Sequence, residues 1–81
     1  MVKVQLFASL RPYADDQSEV ELDAKNVGEV LRGLADRFPG LEPRIDAGVS
    51  VAVDGRVIAT GLTEPVREDS EVVIMERLKG G

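Results

Sequence analysis

Hydrophobic and polar residues alternate at the start of the chain, which is typical of a β-strand with one buried face. In the stretch VKVQLFA, Val2, Val4 and Leu6 fall on one side, with polar residues between them. The alternation places the aromatic Phe7 on the polar side, where a large apolar side chain is unusual and marks a position of interest.

A second strand is predicted in SEVELDA, with Val20 and Leu22 inward and acidic residues between them. The intervening stretch, SLRPYADDQ, contains Pro12 and two aspartates and is interpreted as a loop. The two strands are therefore expected to form a β-hairpin with a long connection.

The clearest helix follows, because apolar residues recur there at spacings of three and four. They are Val27, Val30, Leu31, Leu34, Ala35 and Phe38. Asn26 is predicted to be the N-cap with Glu29 as its capping-box partner, and Pro39-Gly40 is predicted to end the helix. Gly28 and Gly33 lie inside the helix but off its apolar stripe. Each costs about 1 kcal/mol relative to alanine, and we expect them to have little functional consequence.

The second half of the chain predicts three further strands. After a connection through LEPRIDAG, alternating valines lead up to Asp54-Gly55, a strong signal for a two-residue type I′ hairpin turn. Val57 and Ile58 would form the short return strand. TGLTEPVREDS is interpreted as a loop with Leu62 and Val66 tucked under the domain, and EVVIMERL as the last strand.

The predicted order is therefore β-β-α-β-β-β, which indicates an α+β domain with one main helix on a mixed sheet of four or five strands. In this order the first and last strands are commonly parallel neighbours at the centre of the sheet, as in the β-grasp (ubiquitin-like) fold. We place the domain at residues 1–78 and expect residues 79–81 to form a flexible Gly-Gly tail.

Composition narrows the possible functions. The 81 residues contain no cysteine and no histidine, so disulfides, thiolate metal sites and imidazole catalysis are all ruled out. The 43% hydrophobic content is sufficient for an apolar core. Asp15, Asp16 and Glu19 lie close together and could bind Mg²⁺, but a solvated loop is the preferred interpretation and no metal is expected.

The net charge of −5 makes nucleic-acid binding unfavourable and a basic protein surface a better partner, although the charge could also serve solubility alone. No apolar run approaches the ~20 residues of a membrane span, and the first residues lack a signal-peptide layout. We expect a cytoplasmic protein.

Four stretches, LFASLRPYA, NVGEVLRGLADRFPGL, VAVDGRVI and the closing GG, together resemble the MoaD/ThiS-type ubiquitin-like sulfur carriers. The resemblance runs from Val2 to Gly81, and FASLR and RFPGL favour the MoaD branch, the small subunit of molybdopterin synthase. Glu76-Arg77 replaces the proline pair that many members carry before the tail, and RLKGG is closer to the end of ubiquitin, which leaves the choice of partner open.

The resemblance implies that the reactive group is the carboxylate of Gly81, on the side-chain-free stalk that Gly80 extends. A ubiquitin-activating-type enzyme would use ATP to adenylate it, and a sulfur donor would then leave a thiocarboxylate. The chain would not be catalytic alone and would hold no tightly bound cofactor. It would deliver sulfur to a partner enzyme such as the large subunit of molybdopterin synthase.

The resemblance also implies that the sheet face opposite the helix docks on partners, with Phe7, Val57 and Met75 at the interface and Leu78 entering a pocket. Lys79, and Arg11 near the sheet edge, are further partner-binding candidates. An alternative is that Val57 and Met75 complete a second small core under a loop.

Three functions remain open. The first is a sulfur carrier, for molybdopterin or for a thiamin, cysteine or other pathway. The second is a ubiquitin-like modifier that forms isopeptide bonds to lysines. The third is a binding scaffold with an inert tail.

Overall fold

The computed structural model describes residues 1–58 and 62–76 of the chain. Five strands form one mixed sheet in the order β2-β1-β5-β3-β4. Their bounds are β1 Val2–Leu6, β2 Glu19–Leu22, β3 Val49–Val53, β4 Arg56–Ile58 and β5 Glu71–Glu76. The first and last strands are parallel neighbours at the centre, and the other pairs are antiparallel. The predicted β-grasp arrangement is therefore confirmed.

One face of the sheet packs against the main helix, α1 (Val27–Arg37), and this layer contains the core. Val4, Val72 and the helix residues Val30 and Leu34 are fully buried between the two layers. The strands alternate as the sequence predicted, since the residues between the buried positions of β1 and β2 are all exposed. We call the other side of the sheet, which faces away from α1, the outer face.

The start of α1 confirms the predicted cap. The amide of Glu29 donates to the Asn26 side chain over 2.8 Å, and the Glu29 carboxylate accepts from the backbone of Lys25 over 2.9 Å. The return bond reaches one residue further back than in the usual capping box.

Two segments predicted as connections contain helices instead. Ala8–Tyr13 forms a 3-10 helix whose Leu10 is fully buried, so it plugs one end of the core. A 3-10 turn at Pro39–Leu41 leads into a second short helix, α2 (Glu42–Ala47). These segments are too short for a helical period to be visible, and each contains a proline, which suggested a loop.

The segment before β5 crosses the beginning of α1. The first amides of a helix have no partner within it, and here Val27 donates to the Glu64 carbonyl and Gly28 to the Leu62 carbonyl, over 2.9 and 2.8 Å. Val66 is buried as predicted, but Leu62 is 63% exposed, so the prediction that its side chain is tucked under the domain is wrong.

The two helix glycines differ in the space around them. A Cβ at Gly28 would lie 3.1 Å from the Leu62 carbonyl oxygen, so a side chain there would require the crossing segment to shift by a few tenths of an ångström. At Gly33 a Cβ would meet only the movable end of the Leu22 side chain, at 3.4 Å.

The hairpin between β3 and β4 turns at Asp54-Gly55, as predicted. Their φ angles are 51° and 83°, and a type I′ turn requires positive φ at both central positions. None of the helices among the described residues is long and apolar enough to cross a membrane.

Candidate functional site

The predicted reactive end lies outside the residues that the structure describes. This applies to Gly80 and Gly81 and to the neighbouring candidates Leu78 and Lys79. The described chain ends with Glu76, the last residue of β5. The surface around the end of β5 is therefore the described surface nearest in sequence to the predicted reactive group.

Phe7 lies at this end of the sheet. Its amide donates to the Ile74 carbonyl over 3.0 Å, which extends the parallel pairing of β1 and β5 by one position. Because the preceding residue, Leu6, is buried, alternation along the strand directs the Phe7 ring to the outer face. Phe7 is 51% exposed there. Hydrogen bonding of its backbone therefore fixes the aromatic ring on the surface of the domain.

Met75 occupies the position on β5 that follows the Leu6–Ile74 pair, so it is the register neighbour of Phe7. It is half-buried, and it shares the outer face with Val73, since the alternate residues Val72 and Ile74 point into the core. The structure therefore brings two of the predicted partner-binding residues together.

Val57 belongs to the same face but not to the same cluster. It is 65% exposed on β4, opposite Ala52 of β3, and Ala52 in turn pairs with Val73. Three strand spacings of about 4.8 Å separate β1 from β4, so Val57 lies roughly 14 Å across the sheet from the line of Phe7. Its exposure contradicts the alternative that it completes a second small core.

An apolar stripe thus crosses the outer face from Phe7 to Val57, and each member is the cross-strand or same-face neighbour of the next. Its members are Phe7, Met75, Val73, Ala52 and Val57. Ala52 was missed as a site residue because it is small, although the alternation of β3 would have placed it on this face. Such an exposed apolar surface is characteristic of a protein-docking site.

Arg11 lies at the edge of the stripe, on the 3-10 helix. Its Nε donates to the backbone carbonyl of Leu6 over 3.1 Å. Together with Phe7 it lines a shallow depression that extends to Glu19 and Val73. This bond holds the guanidinium beside Phe7, where its remaining donors can meet a partner.

The acidic loop has a structural explanation. Asp15 and Asp16 both have positive φ, 54° and 60°, a backbone region that aspartate tolerates better than most residues. Within residues 1–58 and 62–76, no group of three potential ligands is arranged to hold a metal ion.

Comparison with known proteins supports one family. The model of the ThiS family matches residues 4–81, which is nearly the whole chain and includes both final glycines. A search of curated proteins found no significant match.

Several solved structures share the fold. The small archaeal modifier protein 1 of Methanosarcina acetivorans is 29% identical, with a TM-score of 0.84 over 99% of this chain and 95% of that one. A Pyrococcus furiosus protein assigned as molybdopterin converting factor, subunit 1, is 26% identical, with a TM-score of 0.74 over 95% and 97% of the two chains. The Amycolatopsis orientalis BexX/CysO complex matches at 21% identity and a TM-score of 0.80, with both chains fully covered, and at that identity shows the fold alone.

Proposed function

This chain belongs to the ThiS family of ubiquitin-like sulfur carriers, and from that membership we propose that it carries sulfur as a thiocarboxylate on Gly81. The observation that carries the proposal is that the family match continues through Gly80 and Gly81. Carriers of this type are not catalytic alone and act with partner enzymes. ATP would belong to the adenylating enzyme, and the chain itself would hold no cofactor.

The proposed chemistry takes place in two steps. The Gly81 carboxylate attacks the α-phosphorus of ATP, releases pyrophosphate and becomes a mixed anhydride with AMP. Hydrosulfide then adds to the activated carbonyl carbon, expels AMP and loses its proton, which leaves the thiocarboxylate. Activation is needed because a carboxylate oxygen is a poor leaving group, whereas AMP is a good one.

The absence of thiols and imidazoles is consistent with this role. The whole sequence has no cysteine or histidine that could capture the activated acyl group within the same chain. A carrier that holds sulfur on its terminal carboxyl group has no need of a thiol of its own.

The apolar stripe is proposed as the surface that partner enzymes recognise. Phe7 and Met75 lie beside the end of β5, from which residues 77–81 continue to the reactive group. A partner that binds the stripe would therefore hold the domain next to its own active site, with Leu78 and Lys79 making further contacts. Arg11 and Val57 would border the contact on either side.

For the pathway, we propose molybdenum-cofactor biosynthesis in the cytoplasm, with the large subunit of molybdopterin synthase as the sulfur acceptor. The FASLR and RFPGL stretches and the similarity to the Pyrococcus furiosus protein support this choice. A thiamin, cysteine or other metabolite pathway would use the same terminal chemistry.

A second candidate function is protein modification through isopeptide bonds. The 29% identity to a small archaeal modifier protein specifically favours it. Both functions begin with the same acyl-adenylate and differ only in the nucleophile that attacks it, which is sulfur in one case and a lysine amine in the other.

Reconstitution tests the proposal. The purified chain is incubated with candidate adenylating enzymes, ATP and a sulfide source, and the products are identified by mass spectrometry. We expect a thiocarboxylate on Gly81. Gly-Gly remnants on lysines of added proteins would indicate the modifier function instead. Two matched controls, one lacking Gly80-Gly81 and one with an alanine added after Gly81, should fold normally and give neither product. A product of either kind from the alanine-extended control, with the extra residue still in place, would refute a role for the Gly81 carboxylate.

A further inference from the structure

The 3-10 helix at Ala8–Tyr13 connects the helical layer to the edge of the apolar stripe. Side chains three residues apart in a 3-10 helix lie above one another, so Leu10 and Tyr13 share one face and Arg11 belongs to another. Leu10 is fully buried in the core. Arg11 instead turns to the end of β1, where its Nε donates to the Leu6 carbonyl over 3.1 Å. The position of this helix therefore decides where the Arg11 guanidinium lies.

Arg44 of α2 holds Tyr13 against the helical layer. Its guanidinium carbon lies 4.4 Å from the centroid of the Tyr13 ring, a cation–π contact, and its Nη2 donates to the Tyr13 hydroxyl. The backbone of Tyr13 also passes close to Gly40, where a Cβ would lie 3.4 Å from the Tyr13 carbonyl oxygen. Tyr13 is nevertheless 36% exposed, so the ring is fixed by these contacts rather than by burial in the core.

Tyr13 lies inside a turn that closes on Arg11. The Arg11 carbonyl accepts from the amides of Ala14 and Asp16, over 2.9 and 2.8 Å. The second of these bonds encloses Asp15, which has positive φ, as Asp16 has. Because the chain is closed on itself in this way, a displacement of Tyr13 is passed on to Arg11. The contacts that fix the tyrosine therefore also fix the arginine.

We propose that Tyr13 and Arg44 are a positioning pair, which holds the Arg11 guanidinium ready for the partner enzyme. The pair acts through Arg11 and makes no contact with the partner itself. Ordering an arginine side chain before binding removes part of the conformational entropy that association would otherwise cost. This inference rests on the proposed function, in which Arg11 borders the surface that the adenylating enzyme recognises.

Hydrogen exchange measured by NMR tests the positioning in the isolated chain. Arg44→Met keeps an unbranched side chain but removes the guanidinium from the Tyr13 ring. We expect the Arg11 Nε–H to exchange with water faster in this variant than in the wild type, because its bond to the Leu6 carbonyl opens more often. The matched control is Arg32→Met, which removes the same charge from an exposed position on α1 beside a different depression. Exchange at the wild-type rate in Arg44→Met would overturn the proposal.

A double-mutant cycle shows whether the positioning serves binding. In the wild-type background, Arg44→Met should lower the affinity for the adenylating enzyme about threefold to fivefold in isothermal titration calorimetry. In an Arg11→Ala background the same change should have almost no effect, because the residue that the pair positions is gone. Tyr13→Phe keeps the stacked ring and should bind more tightly than Arg44→Met. Both arginines are exposed, so their variants should remain folded.

A purely structural role for the pair would lower the melting temperature and leave the affinity unchanged, and that result would overturn the proposal. Equal losses of affinity with and without Arg11, or an equal loss in Arg32→Met, would also overturn it, because Arg44 would then contact the partner directly or act through net charge. If the wild type neither binds nor is adenylated, the proposed function itself fails. The exchange experiment still decides in that case whether the pair positions Arg11.

Discussion

Asp54 and Glu71 are joined by two hydrogen bonds that connect the β3–β4 turn to the start of β5. The Asp54 amide donates to the Glu71 carbonyl over 2.8 Å, and the Asp54 side chain accepts from the Glu71 amide over 2.9 Å. The same residue adopts the positive φ that the turn requires. Asp54 therefore both shapes the hairpin and fixes the position at which the last strand enters the sheet.

Substitution of Asp54 tests these two contributions together. Asp54→Ala should lower the free energy of unfolding by about 1 to 2 kcal/mol, because alanine disfavours positive φ and cannot accept the bond from Glu71. Asp54→Asn keeps both features and should stay within about 0.5 kcal/mol of the wild type. Urea denaturation measures both values, and equal losses in the two variants would contradict this assignment.

The two glycines of α1 should respond oppositely to alanine. Gly33→Ala should raise the free energy of unfolding by up to about 1 kcal/mol, because helix propensity improves and only a movable Leu22 side chain must adjust. Gly28→Ala should lower it by about 1 kcal/mol. Moving the Leu62 carbonyl away weakens the bonds that the crossing segment makes to the start of the helix, and this loss exceeds the gain in propensity.

Thermal or urea unfolding of the two glycine variants provides the comparison, with each variant serving as the control for the other. If Gly28→Ala stabilises the domain as much as Gly33→Ala does, the close approach of Leu62 is not a constraint on this position.

Hydrophobic periodicity predicted the elements that are long enough for their pattern of apolar residues to repeat several times. The alternation of β1 and the three-and-four spacing of α1 identified both elements, and Asp54-Gly55 identified the hairpin turn. The 3-10 helix at Ala8–Tyr13 and the short helix α2 span too few turns for such a pattern. Pro12 also occupies a position that commonly indicates a loop.

The sequence predicted the side of the strand to which each candidate residue points, but not the positions of these residues relative to one another. Alternation showed that Phe7 and Met75 point to the same side of their strands. It could not show that they are register neighbours, or that Val57 lies three strands from Phe7, because strand order and register depend on contacts across the whole sheet. The Leu62 side chain was wrongly predicted to be buried. Its segment is held to α1 through the backbone, and its side chain remains in solvent.

The apolar stripe makes a direct prediction about binding. Phe7→Ala should weaken the affinity for the adenylating enzyme by about 30-fold, the effect of losing a hot-spot contact of about 2 kcal/mol. Because the Phe7 ring is already half exposed, the variant should remain folded, with only a small change in melting temperature.

Leu62→Ala is the matched control for this binding prediction, because Leu62 is also an exposed apolar residue but contacts the beginning of α1. It should bind with nearly the affinity of the wild type in isothermal titration calorimetry. Equal losses of affinity for the two variants would mean that the enzyme does not distinguish the outer face from the rest of the surface.

The proposed function depends on a single chemical group, the terminal carboxyl of Gly81, and its form in the cell can be measured. The chain is purified from its host under conditions that preserve thioacids, and its intact mass and C-terminal fragments are determined by mass spectrometry. We expect a population that ends at Gly81 with sulfur in place of one carboxyl oxygen. A chain that carries only an ordinary carboxylate at Gly81 while the host's sulfur-transfer pathway is active, or one that ends at a different residue, would contradict it.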